Sequence, residues 1–143
     1  DVDCFVLGGH RDTMVPLPTY CSVGGVPLNE LISEDRIKAI VDRTKNGGAE
    51  IVEHLKTGSA FYAPAASSVS MAEAILRDQK RVLPCACYLD GEYGISGIFM
   101  GVLAKLGAKG IEKVIELKLN DDEKKLFMNS VEHVKALVKV VKL

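Results

Sequence analysis

The chain has 143 residues, 48% of them hydrophobic and 26% charged, with 18 Lys and Arg against 19 Asp and Glu for a formal charge of -1. Such a chain is expected to fold as one domain, 1–143, that buries roughly two thirds of its unfolded surface without metal or disulfide staples, which excludes intrinsic disorder. The balanced charge offers no field to a nucleic-acid backbone or an anionic membrane, and Asp90, Glu92 and Lys105 interrupt the most apolar stretch, Val82 to Leu106, before it reaches the roughly 18 residues of a membrane span.

The chain opens without an initiator Met or a basic leader and reads as a strand already under way, so it is expected to be a piece of a longer polypeptide. A strand over Cys4 to Leu7 ends at Gly8-Gly9. A second extended stretch, Met14 to Val23, carries Pro16 and Pro18, which cannot donate to a ladder and so mark an edge or irregular strand. Gly24-Gly25 supplies a hairpin turn into Val26-Pro27-Leu28. Ser33 before Glu34, Asp35 and Arg36 is an N-cap signature, and the helix that follows continues through Ile51, Val52 and Leu55, with Gly47-Gly48 expected to kink it.

Pro64 suits the first turn of a further helix, Ala65 to Arg77. Val82 to Leu89 and Ile98 to Leu106 read as an antiparallel pair joined by the glycine-rich segment 90–97, and Lys113 to Leu119 as a third strand. Asn120 or Asp121 caps a closing helix whose apolar stripe is Phe127, Val131, Val134, Val138 and Val141, with Lys124, Lys125, Glu132, Lys135, Lys139 and Lys142 facing solvent. Strands at both ends of a helical middle, joined by hairpin chemistry, give the class α+β with a mostly antiparallel sheet and long helices.

The four cysteines are read as reduced thiols. Cys85 and Cys87 share one face of a strand, but no second Cys/His pair stands at a zinc-finger interval, so no metal is expected. No Gly-x-Ser-x-Gly elbow, phosphate loop, His-Glu-x-x-His or Gly-x-Gly-x-x-Gly occurs. Of the three histidines, His54 and His133 lie beside glutamates in helical patterns and read as surface. His10 differs: it follows Gly8-Gly9 at a strand end and precedes Arg11-Asp12-Thr13, a turn of the kind on which catalytic groups are held.

The segment Leu7-Gly8-Gly9-His10-Arg11-Asp12-Thr13-Met14-Val15-Pro16-Leu17 resembles the active-site histidine segment of the lactate/malate dehydrogenase family. Val23-Gly24-Gly25-Val26-Pro27-Leu28, Gly58 to Ser67, Arg81-Val82-Leu83-Pro84 and Leu89 to Gly94 follow at familiar intervals, so that the resemblance spans essentially the whole chain. Within the family it is most similar to the lactate-dehydrogenase-like malate dehydrogenases of bacteria. It implies the family's C-terminal α+β domain, with the NAD-binding Rossmann half absent from this chain.

By that resemblance His10 is the proton acceptor and donor as hydride leaves or reaches C2 of malate or oxaloacetate, Ala60 lines the substrate pocket, and Pro64 packs near the nicotinamide. The implied cofactor is NAD. The implied partners are a small 2-hydroxy or 2-keto acid, the N-terminal Rossmann domain and further copies in a dimer or tetramer, in the cytoplasm. The histidine's Asp partner and the carboxylate-binding arginines belong to the preceding half, so Asp12 is not that partner, and this chain alone is expected to be inactive. Arg11 stands where the family usually has Gly; a positive φ there would cost roughly 1 kcal/mol, and its charge would act on His10. Lactate or another 2-hydroxy acid is the alternative substrate, and a non-enzymatic protein-interaction domain the alternative of a different class.

Overall fold

The computed structural model describes residues 1–141, with Arg11 described by its backbone alone. In chain order the elements are β1 (Val2–Asp3), β2 (Val6–Gly8), β3 (Met14–Pro16), β4 (Ser22–Val23), β5 (Val26–Pro27), α1 (Leu28–Leu31), α2 (Glu34–Leu55), α3 (Tyr62–Leu76), β6 (Arg81–Asp90), β7 (Ser96–Gly107), β8 (Gly110–Ile115) and α4 (Asp121–Val141). Every strand pairing is antiparallel, which gives the α+β class expected.

The long hairpin β6–β7 is the backbone of the larger sheet, whose order is β3-β2-β7-β6. β6 occupies one edge of β7 from Ser96 to Leu106. β2 and β8 share the other edge, β2 at Gly101 and β8 from Leu103 to Gly107. That sharing explains why β8 stops at Ile115 and does not run through Leu119 as its alternation suggests. The next edge positions of β7 are already taken, and the Leu117 N–H donates instead to the Tyr93 hydroxyl at 2.8 Å. A second, three-stranded sheet, β1-β4-β5, is closed by the turn at Gly24 and Gly25, whose φ values of 56° and 85° are those a tight primed hairpin turn needs.

The core lies between the inner face of β6–β7 and α4. Cys85, Cys87 and Leu89 alternate with exposed Pro84, Ala86 and Tyr88 along β6, and Ile98, Met100, Val102, Ala104 and Leu106 point inward from β7. Phe127 and Val131 of α4 close over them, and burying the Phe127 ring is worth roughly 1.5–3 kcal/mol. The α4 stripe is buried only in its first half: Val134 is half-buried, whereas Val138 and Val141 are exposed. Asn120 is its cap, accepting from the Glu123 N–H at 2.9 Å while the Glu123 carboxylate accepts from the Asn120 N–H at 3.0 Å. This is a reciprocal capping box, and Glu123 also accepts from the Thr19 hydroxyl, which ties the start of α4 to the turn after β3.

α2 starts after Ser33, which accepts from the Arg36 N–H, and runs as one helix across Gly47-Gly48 with a two-pronged Arg43–Glu50 ion pair (2.6 and 2.9 Å) spanning the glycines. α3 begins three residues earlier than expected, since Phe61 C=O already accepts from Ala65 and the Pro64 nitrogen falls in the first turn where no donor is required. No residue of α2 and only Ala74 of α3 is buried, so both helices leave apolar side chains such as Ile40, Val52, Val69 and Leu76 open. No helix among the described residues is long and apolar enough to cross a membrane.

Candidate active site

β2 and β3 form a hairpin whose turn carries His10. The ladder ends at Gly8 opposite Met14, and Arg11–Thr13 close the turn as a 3-10 helix. Gly8 has a φ of +86°, and a Cβ built there would stand 2.8 Å from both Ser130 Oγ and the Thr13 carbonyl oxygen. Only glycine fits that backbone and that space. One step away, Gly8 meets Gly101 as the single register point between β2 and β7. A side chain on Gly101 would collide with the Gly8 carbonyl, so a glycine pair is what lets the histidine hairpin lie against the central strand.

The Gly9 N–H, beyond the end of the ladder, donates to Ser130 Oγ of α4 at 2.8 Å. On the other side of the histidine, the Thr13 hydroxyl makes a long bond of 3.4 Å to the His10 carbonyl. The imidazole itself is exposed. It stands on the wall of an open cleft of about 320 Å³ that β2, the start of β3 and the outer faces of β6 and β7 enclose, with Met14, Pro84, Ala86 and Phe99 as its apolar walls. Cys85 also reaches this cleft, but burial pushes its thiol above the usual range and leaves it a poor nucleophile.

Among the described lining residues His10 is the one imidazole, a side chain with nitrogens that can both accept and donate a proton. The described residues that line the cleft include neither a carboxylate to orient it nor a guanidinium to hold an anion. Asp12 is exposed within the 3-10 turn, and the side chain of Arg11, with the expectations attached to its charge, lies outside the described residues.

Ala60 and Pro64 do not line the His10 cleft. Ala60 is half-buried in the loop that precedes α3, and Pro64 is exposed in that helix's first turn, beside the paired rings of Phe61 and Tyr62 (centroids 4.7 Å apart). His54 and His133 are exposed on α2 and α4, as their helical patterns suggest. No cluster of metal-ligating side chains occurs among the described residues, and all four cysteines are free thiols. Sequence reasoning missed Ser130 and Gly101. Ser130 has a faint signal, a hydroxyl one residue from the buried stripe of a helix; a strand-interior glycine such as Gly101 marks close backbone approach.

Comparison with known proteins decides the family. The model of the lactate/malate dehydrogenase, alpha/beta C-terminal domain, matches residues 1–142. The chain belongs to the lactate/malate dehydrogenase family. It is 55% identical over 142 residues to a malate dehydrogenase of Roseiflexus sp. (strain RS-1), an alignment that covers 99% of this chain and 46% of the relative. Among solved structures, malate dehydrogenase from Salinibacter ruber superposes with a TM-score of 0.95 at 52% identity, covering 99% of this chain and 46% of that one. Lactate dehydrogenase from Eimeria maxima, solved with NADH and oxamate, superposes with the same TM-score of 0.95 at 41% identity and the same 99% and 46% coverage. The chain thus spans about half the length of the dehydrogenases it matches, and the half it matches is the alpha/beta C-terminal domain, without a Rossmann domain.

Proposed function

We propose that residues 1–143 are the catalytic and substrate-binding domain of an NAD-dependent malate dehydrogenase and work together with a preceding Rossmann half. The observation that carries this reading is His10 itself: a lone imidazole on an apolar cleft wall, its backbone clamped on both sides, in a chain 55% identical to a malate dehydrogenase. As malate is oxidised, an imidazole nitrogen of His10 takes the C2 hydroxyl proton while the C2 hydrogen departs with its electron pair; in reverse, the imidazolium donates to the C2 oxygen of oxaloacetate as charge develops there. NAD, when bound, accepts or returns that hydride.

Met14, Pro84, Ala86 and Phe99 give the open cleft apolar walls, and once the Rossmann half covers them the low local polarity would strengthen the hydrogen bond His10 makes to the reacting oxygen. Exposed Pro64 presents a compact apolar ring able to pack on a planar heterocycle, while the chain has no glycine cradle for a pyrophosphate, which fits a dinucleotide held mainly by the other half. Ala60, small, half-buried and outside the cleft wall that this chain forms, is assigned to the substrate pocket by the family resemblance, its methyl leaving room for a second carboxylate when the other half completes that pocket. The curated relatives at 54–56% identity carry the name malate dehydrogenase, which supports malate over lactate. The open apolar faces of α2 and α3 serve as packing surfaces for the Rossmann half and for further copies in a cytoplasmic dimer or tetramer.

The test is His10→Asn in the protein that includes the preceding Rossmann half, assayed by oxaloacetate reduction. Turnover is expected to fall by about 10²- to 10⁴-fold with NADH affinity unchanged within twofold. A variant that keeps more than half the parent turnover overturns the assignment, and a parent that turns over pyruvate faster than oxaloacetate makes it a lactate dehydrogenase.

A further inference from the structure

α4 carries its buried apolar residues at Phe127 and Val131, and between them lies Ser130, only 2% exposed. A hydroxyl in that place is costly unless paired. Its partner is the Gly9 N–H, 121 residues away in sequence and immediately before His10. This N–H has no strand to bond, because the β2–β3 ladder ends one residue earlier at Gly8. The fit between the two segments is tight, since a Cβ on Gly8 would stand 2.8 Å from the same serine oxygen.

The helix is not free to follow the turn. Phe127 and Val131, on either side of Ser130, are locked in the core, and the capping box with the Thr19–Glu123 contact fixes the helix start. The turn, in contrast, carries on its far side a long hydrogen bond from the Thr13 hydroxyl to the His10 carbonyl, 3.4 Å against 2.8 Å for the Gly9–Ser130 bond. Ser130 is thus the rigid end of the clamp and Thr13 the weak one.

We propose that Ser130 is a positioning residue for His10: through the Gly9 amide it transfers the rigidity of α4 to the histidine backbone, leaving the imidazole in place to meet the reacting oxygen. The proposal rests on the reading of His10 as the proton-transfer group. Misplacing that group by a fraction of an ångström lowers the rate of the chemical step and leaves binding of the cofactor untouched.

The experiment compares three variants of the protein that includes the preceding Rossmann half, Ser130→Ala, Ser130→Thr and Val131→Ala, in steady-state oxaloacetate reduction, thermal unfolding and amide hydrogen exchange. Ser130→Ala is expected to lose about tenfold in kcat with KM and the NADH Kd within twofold, and to exchange the Gly9 amide much faster. Ser130→Thr keeps the acceptor and recovers kcat to within about threefold, with Gly9 protection retained. Val131→Ala removes core packing without touching the bond; it lowers Tm at least as far as Ser130→Ala, yet keeps kcat within twofold.

A Ser130→Ala enzyme with kcat within twofold of the parent overturns the proposal. So does a Val131→Ala enzyme whose kcat falls in step with its Tm, since the serine effect would then be general loosening. His10→Asn assayed alongside separates the two levels. If it abolishes turnover while Ser130→Ala does not, only the positioning role fails; if it retains turnover, the reading of His10 fails and the positioning role with it.

Discussion

Gly8→Ala tests whether the histidine hairpin is held by a backbone conformation, by close packing, or by both. Two costs add at this position. A non-glycine residue at the observed φ of +86° loses about 1–2 kcal/mol to its own backbone. The new methyl would also stand 2.8 Å from Ser130 Oγ and from the Thr13 carbonyl oxygen, inside the roughly 3.3–3.6 Å of a C···O contact, and 3.1 Å from Val15 Cγ2, inside the roughly 3.5–4.0 Å of a C···C contact. Thr13 carbonyl is backbone and Ser130 is locked between core residues, so the overlap is relieved only by moving the turn, an overpacking cost of about 1–3 kcal/mol. Gly25 provides the control: its φ is +85°, but nothing lies within 4 Å of a Cβ built there. Gly25→Ala carries the backbone cost alone.

Urea unfolding of both variants should therefore show Gly8→Ala less stable than Gly25→Ala by about 1–3 kcal/mol. Because the relief displaces the residue two before His10, Gly8→Ala should also lose about 10- to 100-fold in kcat, whereas Gly25→Ala retains it. Equal stability losses in the two variants would refute the packing argument, and an unchanged kcat in Gly8→Ala would break the link between that packing and His10.

Tyr93→Phe keeps the ring against Phe127 (centroids 4.9 Å) but removes the hydroxyl that accepts from Leu117 N–H at 2.8 Å and donates to the Ile115 carbonyl at 3.3 Å. The orphaned N–H costs about 1–3 kcal/mol, read as a lower urea midpoint at unchanged slope; a shift below about 0.3 kcal/mol would contradict it. The Glu112 carboxyl is held below its ordinary range by its hydrogen bond to Lys80 and next by Lys105, and Asp78 is lowered by Lys80 and the Ala108 N–H. Both carboxylates are favoured charged in the fold, so their contribution is present above the unfolded carboxylate pKa and is lost as pH falls through the depressed folded values. Glu112→Gln should be less stable than the parent at pH 7, with the difference closing in acid; a difference that widens in acid refutes the sign.

Much of the architecture could be read from short-range chemistry. The Ser33 and Asn120 caps, the Gly24-Gly25 turn and the in–out alternation of Cys85, Cys87 and Leu89 each depend on groups within about four residues of one another, and each occurs as expected. The His10 turn was legible for the same reason: two glycines at a strand end announce a bend whatever the rest of the chain does. The C-terminal half of the α4 stripe shows where that logic stops. Periodicity marks which side of a helix is apolar, but not how far along it a neighbour extends to cover it.

The span of β8 and the clamp on His10 belong to the tertiary structure. β8 ends at Ile115 because β2 already occupies the edge of β7 at Gly101, a competition between segments roughly a hundred residues apart that no local pattern encodes. The Gly9–Ser130 bond likewise exists only once α4 has packed across β2 and β7. By itself the sequence determined which residues turn, cap and alternate, because steric and hydrogen-bonding preferences act on neighbours. Which distant surfaces meet, and so which hydroxyl holds the histidine, was decided by the packing of one buried core around the Gly8–Gly101 contact.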